Sequence, residues 1–113
     1  YFTLSQVTIA KEVRSILLSD LGQNHTAREL AERFQIGETS LKNYFRGVFG
    51  ENLSAWLRET RMRRAAELLR DTGLRVAEIA EQVGYENQSK FAAVFVKEYG
   101  CPPLEYRRRA RLD

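Results

Sequence analysis

The feature that most constrains the fold of this chain is an internal repeat of one helical hairpin. The two copies are ELAERFQIGETSLKNYFRGVFG at residues 29–50 and EIAEQVGYENQSKFAAVFVKEYG at residues 78–100. Glu29 matches Glu78 at an offset of 49 residues, whereas Gly50 matches Gly100 at an offset of 50. The single extra residue therefore falls in the turn, and both helix faces keep their phase. Two copies are too few for a solenoid, which needs about three or more units, so the sequence predicts a tandem duplication.

Helical periodicity extends along the chain and predicts an all-α fold of about seven helices. Thr26 followed by Glu29 fits a capping box at a helix start. Asn52 is a good N-cap, Gly50 is a good helix stop, and the chain must turn near Gly37. The predicted helices span residues 7–21 (ended by Gly22), 27–34, 39–49, 53–70, 76–83 and 88–99, and a last one begins at Pro103, whose missing N–H costs nothing in a first turn.

These helices group into two helix-turn-helix subdomains joined by a long linker helix. The predicted bounds are 1–51 for the first subdomain, 52–72 for the linker helix and 73–113 for the second subdomain. A chain of 113 residues is long enough for one domain, or for two small ones that share an element. Trp56 on the linker helix is expected in the core rather than in ligand stacking.

The charge balance is compatible with two kinds of surface. The chain has 18 Lys and Arg against 15 Asp and Glu, a net charge of +3. This favours anionic partners weakly and also fits an ordinary solvated surface. Cys101 is the only cysteine, so no internal disulfide is predicted and a reducing compartment is expected.

The sequence carries no sign of a membrane span or a targeting segment. No apolar run approaches the roughly 20 residues that cross a bilayer. No basic-then-apolar leader indicates a signal peptide. The sequence opens at Tyr1 and its one methionine is Met62, which predicts a domain excised from a longer protein.

Side chains suited to catalysis are sparse, so the sequence predicts no enzyme and no cofactor. His25 precedes a capped helix and is expected to be a surface loop residue. One histidine and one cysteine leave no credible metal cluster, and no glycine-rich phosphate loop occurs. Glu78 and Glu81 lie three residues apart on a helix without a pocket and are interpreted as solvated charges.

The helical pattern leaves two function classes open. A short helix, a tight turn and a second amphipathic helix form a helix-turn-helix, which can lay its second helix in the DNA major groove. The same hairpin also occurs in protein-interaction modules. The outward face of residues 39–49 favours DNA, because Asn pairs with adenine, Lys with guanine or phosphate, and a Thr methyl group with thymine. That face carries Thr39, Lys42, Asn43 and Arg46. No acidic residue occurs in residues 39–49, which also favours an anionic partner.

The second candidate recognition helix offers fewer hydrogen bonds. Its outward side chains are Ser89, Ala92, Ala93 and Val96, flanked by Gln88, Lys90 and Lys97. Small residues allow close approach to the groove floor and contact with thymine methyl groups, although an alanine face can also pack against another domain. We therefore expect the first helix to carry most base readout, and the second to add phosphate contacts and sensitivity to DNA shape.

A family resemblance is carried by one long segment of the second copy. Residues 77–107 are AEIAEQVGYENQSKFAAVFVKEYGCPPLEYR, which resembles the signature of the AraC/XylS family of bacterial transcription regulators. The shared features are the Ile-Ala pair, the Gly-aromatic turn, the Gln-Ser before Phe91, the Phe four residues on and the Tyr-Gly…Pro…Tyr-Arg ending. The upstream copy is similar to the family's first helix-turn-helix, and residues 57–69, LRETRMRRAAELL, to its linker helix. The opening segment and KFAAVF most resemble the branch that regulates siderophore uptake.

The resemblance implies seven helices in two subdomains, with both recognition helices on one face of the duplex. They would occupy successive major grooves about 34 Å apart, or less on bent DNA. The implied base-contacting residues are Thr39, Ser40, Lys42, Asn43, Gln88, Ser89, Ala92 and Ala93. The candidate phosphate contacts are Thr26, Arg46, Arg75, Lys90 and Lys97.

The resemblance also implies the partners and the setting. The partners are double-stranded DNA and RNA polymerase, with an effector-binding or dimerisation domain preceding this chain. The location is the bacterial cytoplasm, with the nucleoid, and the expected regulation is activation.

Three positions depart from the family pattern. Ala93 stands where some members have arginine, and Val96 where Lys or Arg usually follows the Phe, which weakens the expected readout by the second motif. Arg75 takes a place often held by a Ser or Thr cap, and a cation at a helix start disfavours the helix but can serve a phosphate. The basic stretch RRRAR, residues 107–111, is predicted to be a solvated tail or a nonspecific phosphate contact.

Overall fold

The computed structural model describes residues 2–112, which form seven helices and no strand. The helices are α1 (Leu4–Ser19), α2 (Ala27–Arg33), α3 (Glu38–Phe49), α4 (Leu53–Asp71), α5 (Val76–Gln82), α6 (Gln88–Tyr99) and α7 (Pro103–Ala110). The prediction of an all-α fold of about seven helices is therefore confirmed. The terminal residues of the predicted subdomains, Tyr1 and Asp113, lie outside the described residues.

The chain divides into two compact units, the first ending at Leu57 and the second beginning at Arg58. Each unit contains one copy of the duplicated hairpin and has its own core. The buried core of the first unit is Val13, Leu17, Leu30, Ala31, Leu41, Phe45 and Leu53. That of the second is Met62, Ala65, Ala66, Leu68, Leu69, Val76, Ile79, Ala80, Val83, Phe91 and Phe95. Helix α4 therefore supplies side chains to both cores. The subdomain bounds given above remain a prediction.

The two hairpins share the same backbone turn. In the first hairpin the N–H of Ile36 donates to the carbonyl of Ala31 at 3.1 Å, and in the second the N–H of Tyr85 donates to the carbonyl of Ala80 at 2.8 Å. The turns are 49 residues apart, whereas α3 and α6 begin 50 residues apart. The extra residue of the second copy therefore enters between the turn and α6. The prediction that both helix faces stay in phase is confirmed.

The second helices of the two hairpins are equal in length and end alike. Each has 12 residues and is followed by a left-handed glycine, Gly50 at φ 77° and Gly100 at φ 79°. The Gly50 N–H donates to the carbonyl of Arg46 at 2.8 Å, and the Gly100 N–H to that of Val96 at 2.7 Å. The predicted stop at Gly50 is confirmed.

The turns differ at one strained position, which gives a stability prediction. Gln35, and not the nearby Gly37, is the left-handed residue of the first turn, at φ 56°, and Gly84 is its equivalent in the second, at φ 94°. A φ of 56° lies in the small left-handed region open to side-chain-bearing residues, whereas 94° lies beyond it. We expect Gly84→Ala to lower the free energy of unfolding by about 1–2 kcal/mol.

The matched reverse change is Gln35→Gly, which we expect to alter stability by less than about 1 kcal/mol, because relief of the left-handed strain is offset by glycine's greater freedom in the unfolded chain. Urea unfolding followed by circular dichroism measures both. A Gly84→Ala protein as stable as the parent would show that this position does not require glycine.

Helix α1 begins three residues earlier than predicted and ends two residues earlier, so Leu21 lies outside it. Its start is fixed by a capping box in which the Thr3 hydroxyl accepts from the Gln6 N–H and the Gln6 side chain accepts from the Thr3 N–H. Its end is fixed by Asp20, whose carboxylate accepts from the Gly22 N–H at 3.1 Å. The prediction missed this start because it relied on apolar periodicity and overlooked the Thr3–Gln6 signature.

Two further helix starts were predicted from their caps. Asn52 is confirmed as a cap, because its side-chain oxygen accepts from the Ala55 N–H at 2.8 Å. The Thr26 hydroxyl accepts from the Glu29 N–H at 3.0 Å. This is one half of the predicted capping box, and it suffices to start α2 at Ala27.

The basic stretch at residues 107–111 is not only a solvated tail, because two of its arginines bind backbone carbonyls of their own unit. Arg107 Nε donates to the carbonyl of Leu69 at 2.9 Å, and Arg107 Nη2 to the carbonyl of Leu74 at 2.6 Å. The Arg111 guanidinium donates to the carbonyl of Thr72. These carbonyls lie at and just beyond the C-terminal end of α4, where the helix provides no partners. The two arginines therefore close the end of α4.

Helix α4 also buries two polar residues that its apolar periodicity did not predict. Thr60 is 6% exposed and Arg61 is 8% exposed. The Arg61 guanidinium lies over the ring of Tyr85, 5.9 Å from its centroid. Burial lowers the pKa of Arg61 and raises that of Tyr85. A long side chain can bury its stem among apolar neighbours, which is why sequence periodicity did not identify this position as buried.

Candidate nucleic-acid interface

The outward face of α3 is polar and open to solvent. Its four predicted base-contacting residues are Thr39, Ser40, Lys42 and Asn43. All are exposed except Ser40, which is half-buried. Leu41 and Phe45 are buried in the core of the first unit, and their spacing of four residues places them on one face of the helix. Three of the four predicted side chains are therefore open to a ligand.

Helix α3 begins at Glu38, one residue earlier than predicted, and this adds an acid to its first turn. Glu38 Oε1 lies 3.0 Å from Lys42 Nζ, one helical turn away. Residues 39–49 contain no acidic residue, as the sequence shows, but the whole helix contains one, Glu38. Lys42 is therefore half of an ion pair. Sequence reasoning missed Glu38 because it placed the helix start one residue late.

Phe2 and Gln6 occupy one flank of α3. The Phe2 ring lies edge-on to the ring of Tyr44, with the centroids 5.9 Å apart. A Cβ added to Gly47 would come within 2.0 Å of the Phe2 ring, so the absence of a side chain there lets the ring lie against α3. Gln6 Nε2 donates to the Tyr44 hydroxyl at 3.3 Å. Phe2 and Gln6 therefore cover this flank of α3, whereas its outward face is open to a ligand.

Helix α6 presents small side chains. Its four predicted base-contacting residues are Gln88, Ser89, Ala92 and Ala93. All are exposed except Ala92, which is half-buried. The Asn87 side chain accepts from the Lys90 N–H at 3.1 Å and fixes the start of the helix. Val96, one turn further along, is 39% exposed. The outward face of α6 thus combines two polar residues near its start with an exposed apolar remainder.

The register of the repeat pairs the outward positions of the two helices one by one. Helices α3 and α6 begin 50 residues apart and have the same length. The resulting pairs are Glu38 with Gln88, Thr39 with Ser89, Lys42 with Ala92, Asn43 with Ala93, and Arg46 with Val96. At the last three pairs, the first helix has charged or amide side chains where the second has small or apolar ones. The two helices therefore share their geometry and differ in chemistry.

All five predicted phosphate contacts are exposed. They are Thr26, Arg46, Arg75, Lys90 and Lys97. Two of them also have structural partners within their own units. The Thr26 hydroxyl caps α2, and Arg75 Nε lies 2.9 Å from Glu78 Oε1.

Glu78 compensates for the cation at the start of α5. Its carboxylate accepts from the Arg75 guanidinium and, at 3.1 Å, from the Arg75 N–H. The guanidinium contact and then the backbone contact lower the pKa of Glu78. The interpretation of Glu78 as a merely solvated charge was therefore wrong. The carboxylate therefore supplies the glutamate half of a capping box, in which the N3 side chain accepts from the N-cap N–H.

The described residues contain neither a metal-binding group nor a membrane helix. Within residues 2–112, no three His, Cys, Asp or Glu side chains are grouped so that they could hold a metal ion. Over the same range, every helix is too short or too polar to cross a membrane. His25 lies half-buried in the loop between α1 and α2.

Two hairpins with one turn geometry, each with the outward face of its second helix open to solvent, define a paired helix-turn-helix domain. Residues 30–109 match the model of a family described as a helix-turn-helix domain. The chain belongs to the AraC-type members of this family, which are DNA-binding transcription regulators and not enzymes. The resemblance found in the sequence is confirmed.

Known proteins of this type are similar in both sequence and structure. The transcriptional activator RhaR of Yersinia pseudotuberculosis is 36% identical over 97 residues, which are 86% of this chain. The C-terminal domain of the response regulator AraT of Geobacillus stearothermophilus is 33% identical with a TM-score of 0.85, over 89% of this chain and 84% of that one. The DNA-binding domain of AdpA, solved in complex with a target DNA, is 25% identical with a TM-score of 0.85, over 91% and 93%.

The match to RhaR covers only part of that protein. The matched region is 33% of the length of RhaR. The more specific resemblance to the siderophore-uptake branch stays a prediction.

Proposed function

We propose that this domain recognises a specific double-stranded DNA site with α3 and α6 in successive major grooves. The exposure of Lys42 and Asn43 on α3 is the observation that carries the proposal, because these side chains suit base edges and are not needed in the core. The DNA-binding domain of AdpA, which is similar over 91% of this chain, was solved in complex with a target DNA, and this supports DNA binding by the present domain.

The two helices would contribute unequally to the site. Helix α3 would supply most direct readout through Thr39, Lys42 and Asn43, and Ser40, which is half-buried, would have a smaller part. Helix α6 would add Gln88, Ser89, Ala92 and Ala93. Its small side chains favour thymine methyl contacts and DNA shape over hydrogen-bonded readout.

Phosphate contacts would position the domain without selecting sequence. Arg46 and Lys97 are exposed cations on the two helices, and Lys90 lies in the first turn of α6. Thr26 and Arg75 precede α2 and α5. Arg75 already pairs with Glu78, so we expect it to contribute less than the other cations.

Selection from a random duplex pool at low ionic strength tests the proposal directly. The expected product is a site of two neighbouring blocks, with centres about one helical turn apart. Binding to the selected duplex should weaken steeply with salt, with a log–log slope of about −0.9 for each phosphate neutralised. An unenriched pool, together with salt-independent binding to a protein partner, would instead favour a protein-interaction module.

Single substitutions should separate base contacts from phosphate contacts. We expect Asn43→Ala and Lys42→Ala each to reduce discrimination against a changed base pair by about 1–3 kcal/mol, because the shortened side chain no longer reaches its base. Arg46→Ala and Lys97→Ala should weaken all duplexes alike and reduce the salt slope by about 1. Titration of selected and scrambled duplexes gives both quantities. If Lys42→Ala and Asn43→Ala each left the preference for the selected site unchanged, α3 would not be the main reading helix.

The proposal extends to the whole regulator. RhaR is named a transcriptional activator, and we propose that the protein containing this domain activates transcription by contacting RNA polymerase. A further effector-binding or dimerisation domain would precede α1, and the protein would act on the nucleoid in the bacterial cytoplasm. Transcription in vitro from a promoter that carries the selected site, with and without the full-length protein, tests activation.

A further inference from the structure

Glu38 stands on the outward face of α3, at an exposed position that the sequence did not identify. The register of the repeat pairs it with Gln88, the first residue of α6, and Gln88 is one of the proposed base-contacting residues. The Glu38 side chain is 47% exposed and belongs to neither buried core. An acid facing DNA is unfavourable unless a donor meets it, because phosphates are anionic and most exposed base atoms are acceptors.

The donor that meets Glu38 in the free protein is Lys42. Its Nζ lies 3.0 Å from Glu38 Oε1, and the Lys42 side chain is 54% exposed. The two residues are one turn apart on the outward face of α3 and present a donor and an acceptor separated by one hydrogen-bond distance. Spacing of this kind also occurs in pairs that only support a helix. Arg28 and Glu32 on α2 form such a pair at 3.3 Å.

The chemistry of this pair matches one base-pair edge. In the major groove, guanine presents its O6 and N7 acceptors, and cytosine presents its N4 amino donor. O6 and N4 are hydrogen-bonded to each other within the G·C pair, so their separation is also one hydrogen-bond distance. Resting on the function proposed above, we propose that Glu38 and Lys42 read one G·C base pair as a unit. Lys42 donates to guanine, and Glu38 accepts from the cytosine amino group.

The same arrangement explains what the pair rejects. A thymine at the cytosine position presents its O4 acceptor to the carboxylate, which repels it. Inverting the base pair places the guanine acceptors opposite Glu38 and the amino donor opposite Lys42, so neither hydrogen bond can form. The pair therefore distinguishes G·C from C·G as well as from A·T. In this arrangement Glu38 contributes to the preference for G·C and also holds the Lys42 ammonium group in position.

The test compares three variants on the site selected by the parent domain. Lys42→Ala first identifies the base pair that Lys42 reads, from the position at which its selected motif loses preference. Glu38→Gln should lose preference at that same base pair, with discrimination falling about tenfold. The double variant should lose the preference that remains at that base pair and keep the preference at other positions, because the two side chains contact the two bases of one pair. Glu32→Gln is the matched control, since it removes an exposed, ion-paired acid from the neighbouring helix and should leave the motif intact.

Each outcome decides the proposal. Loss of preference at one shared base pair by Glu38→Gln and Lys42→Ala, with Glu32→Gln unchanged, supports it. A Glu38→Gln motif identical to the parent's, or altered at a different base pair, overturns it while leaving DNA recognition by α3 in place. Failure of the parent to enrich any duplex overturns both this inference and the proposed function. Circular dichroism of each variant confirms that the helices are retained.

Discussion

Replacing Phe45 with alanine is expected to lower the free energy of unfolding by about 3–5 kcal/mol. The ring is 0% exposed and packs against Phe49 and Trp56, with centroids 4.7 and 5.3 Å away. Removing it leaves a cavity where α3 rests on the start of α4. Because Trp56 is the only tryptophan in the chain, its fluorescence during urea unfolding reports on this unit directly.

A control of the same chemistry separates burial from simple loss of a ring. Phe2 is 37% exposed, and Phe2→Ala should cost only about 1 kcal/mol, mainly through its edge-on contact with Tyr44. If Phe45→Ala is too unstable to purify, Phe45→Leu should still lose about 1–2 kcal/mol. A Phe45→Ala protein with a stability within about 1 kcal/mol of the parent's would mean that the ring does not anchor α3.

The same substitution should also abolish selection of DNA. Helix α3 carries the proposed base contacts, and its orientation depends on Leu41 and Phe45 in the core. Phe95 occupies the equivalent place in α6 and is also 0% exposed. Phe95→Ala should therefore cost a similar amount, detected by circular dichroism, and should weaken the block of the selected site that α6 reads.

The second large effect is expected at Arg107. Arg107→Ala should lower the free energy of unfolding by about 2–4 kcal/mol, because two charge-assisted hydrogen bonds are removed. The carbonyl of Leu69 in the last turn of α4 and that of Leu74 just beyond it are left without this partner. Burial lowers the pKa of Arg107, and the neighbouring Arg111 lowers it further. Arginine remains charged throughout the ordinary pH range, so we expect the effect to be independent of pH between about 5 and 9.

Two further variants give this prediction its controls. Arg107→Lys should recover only part of the stability, because an ammonium group cannot reproduce the planar fork that reaches both Leu69 and Leu74. Arg108→Ala removes an exposed ion pair with Glu105 and should cost about 0.5 kcal/mol or less. Urea unfolding followed by circular dichroism measures all three. Equal stability of Arg107→Ala and Arg108→Ala would rule out the capping role.

The repeat made most of the fold predictable. The offsets of 49 and 50 residues located the turn, the phase of both helix faces and the ends of α3 and α6. Apolar periodicity located α4 to within one residue because a long amphipathic helix has many buried positions. Together with the cap at Asn52 and the first-turn proline Pro103, these signals sufficed for the all-α architecture.

What the sequence did not predict are contacts between side chains and distant backbone. Arg107 contacts Leu69 and Leu74, which are 38 and 33 residues away, and no local pattern distinguishes it from the exposed Arg108. Glu38 was missed for a different reason. The predicted helix began at residue 39, one residue too late, so Glu38 was not considered part of the outward face of α3. In the candidate site, the predicted exposure of α3 was right for Thr39, Lys42 and Asn43, whereas the partial burial of Ser40 depends on tertiary packing.

The continuity of α4 limits how this protein can be rebuilt. One helix supplies Leu53 to one core and Met62 to the other. A cut between residues 57 and 58 would leave the first unit with only residues 53–57 of α4, and isolated helices shorter than about 12–15 residues are marginal in water. The two helix-turn-helix units therefore cannot be exchanged as separate pieces. A chimaera that exchanges one reading specificity for another should graft only the outward side chains of α3 or α6, or else transplant the entire stretch from α1 to α7.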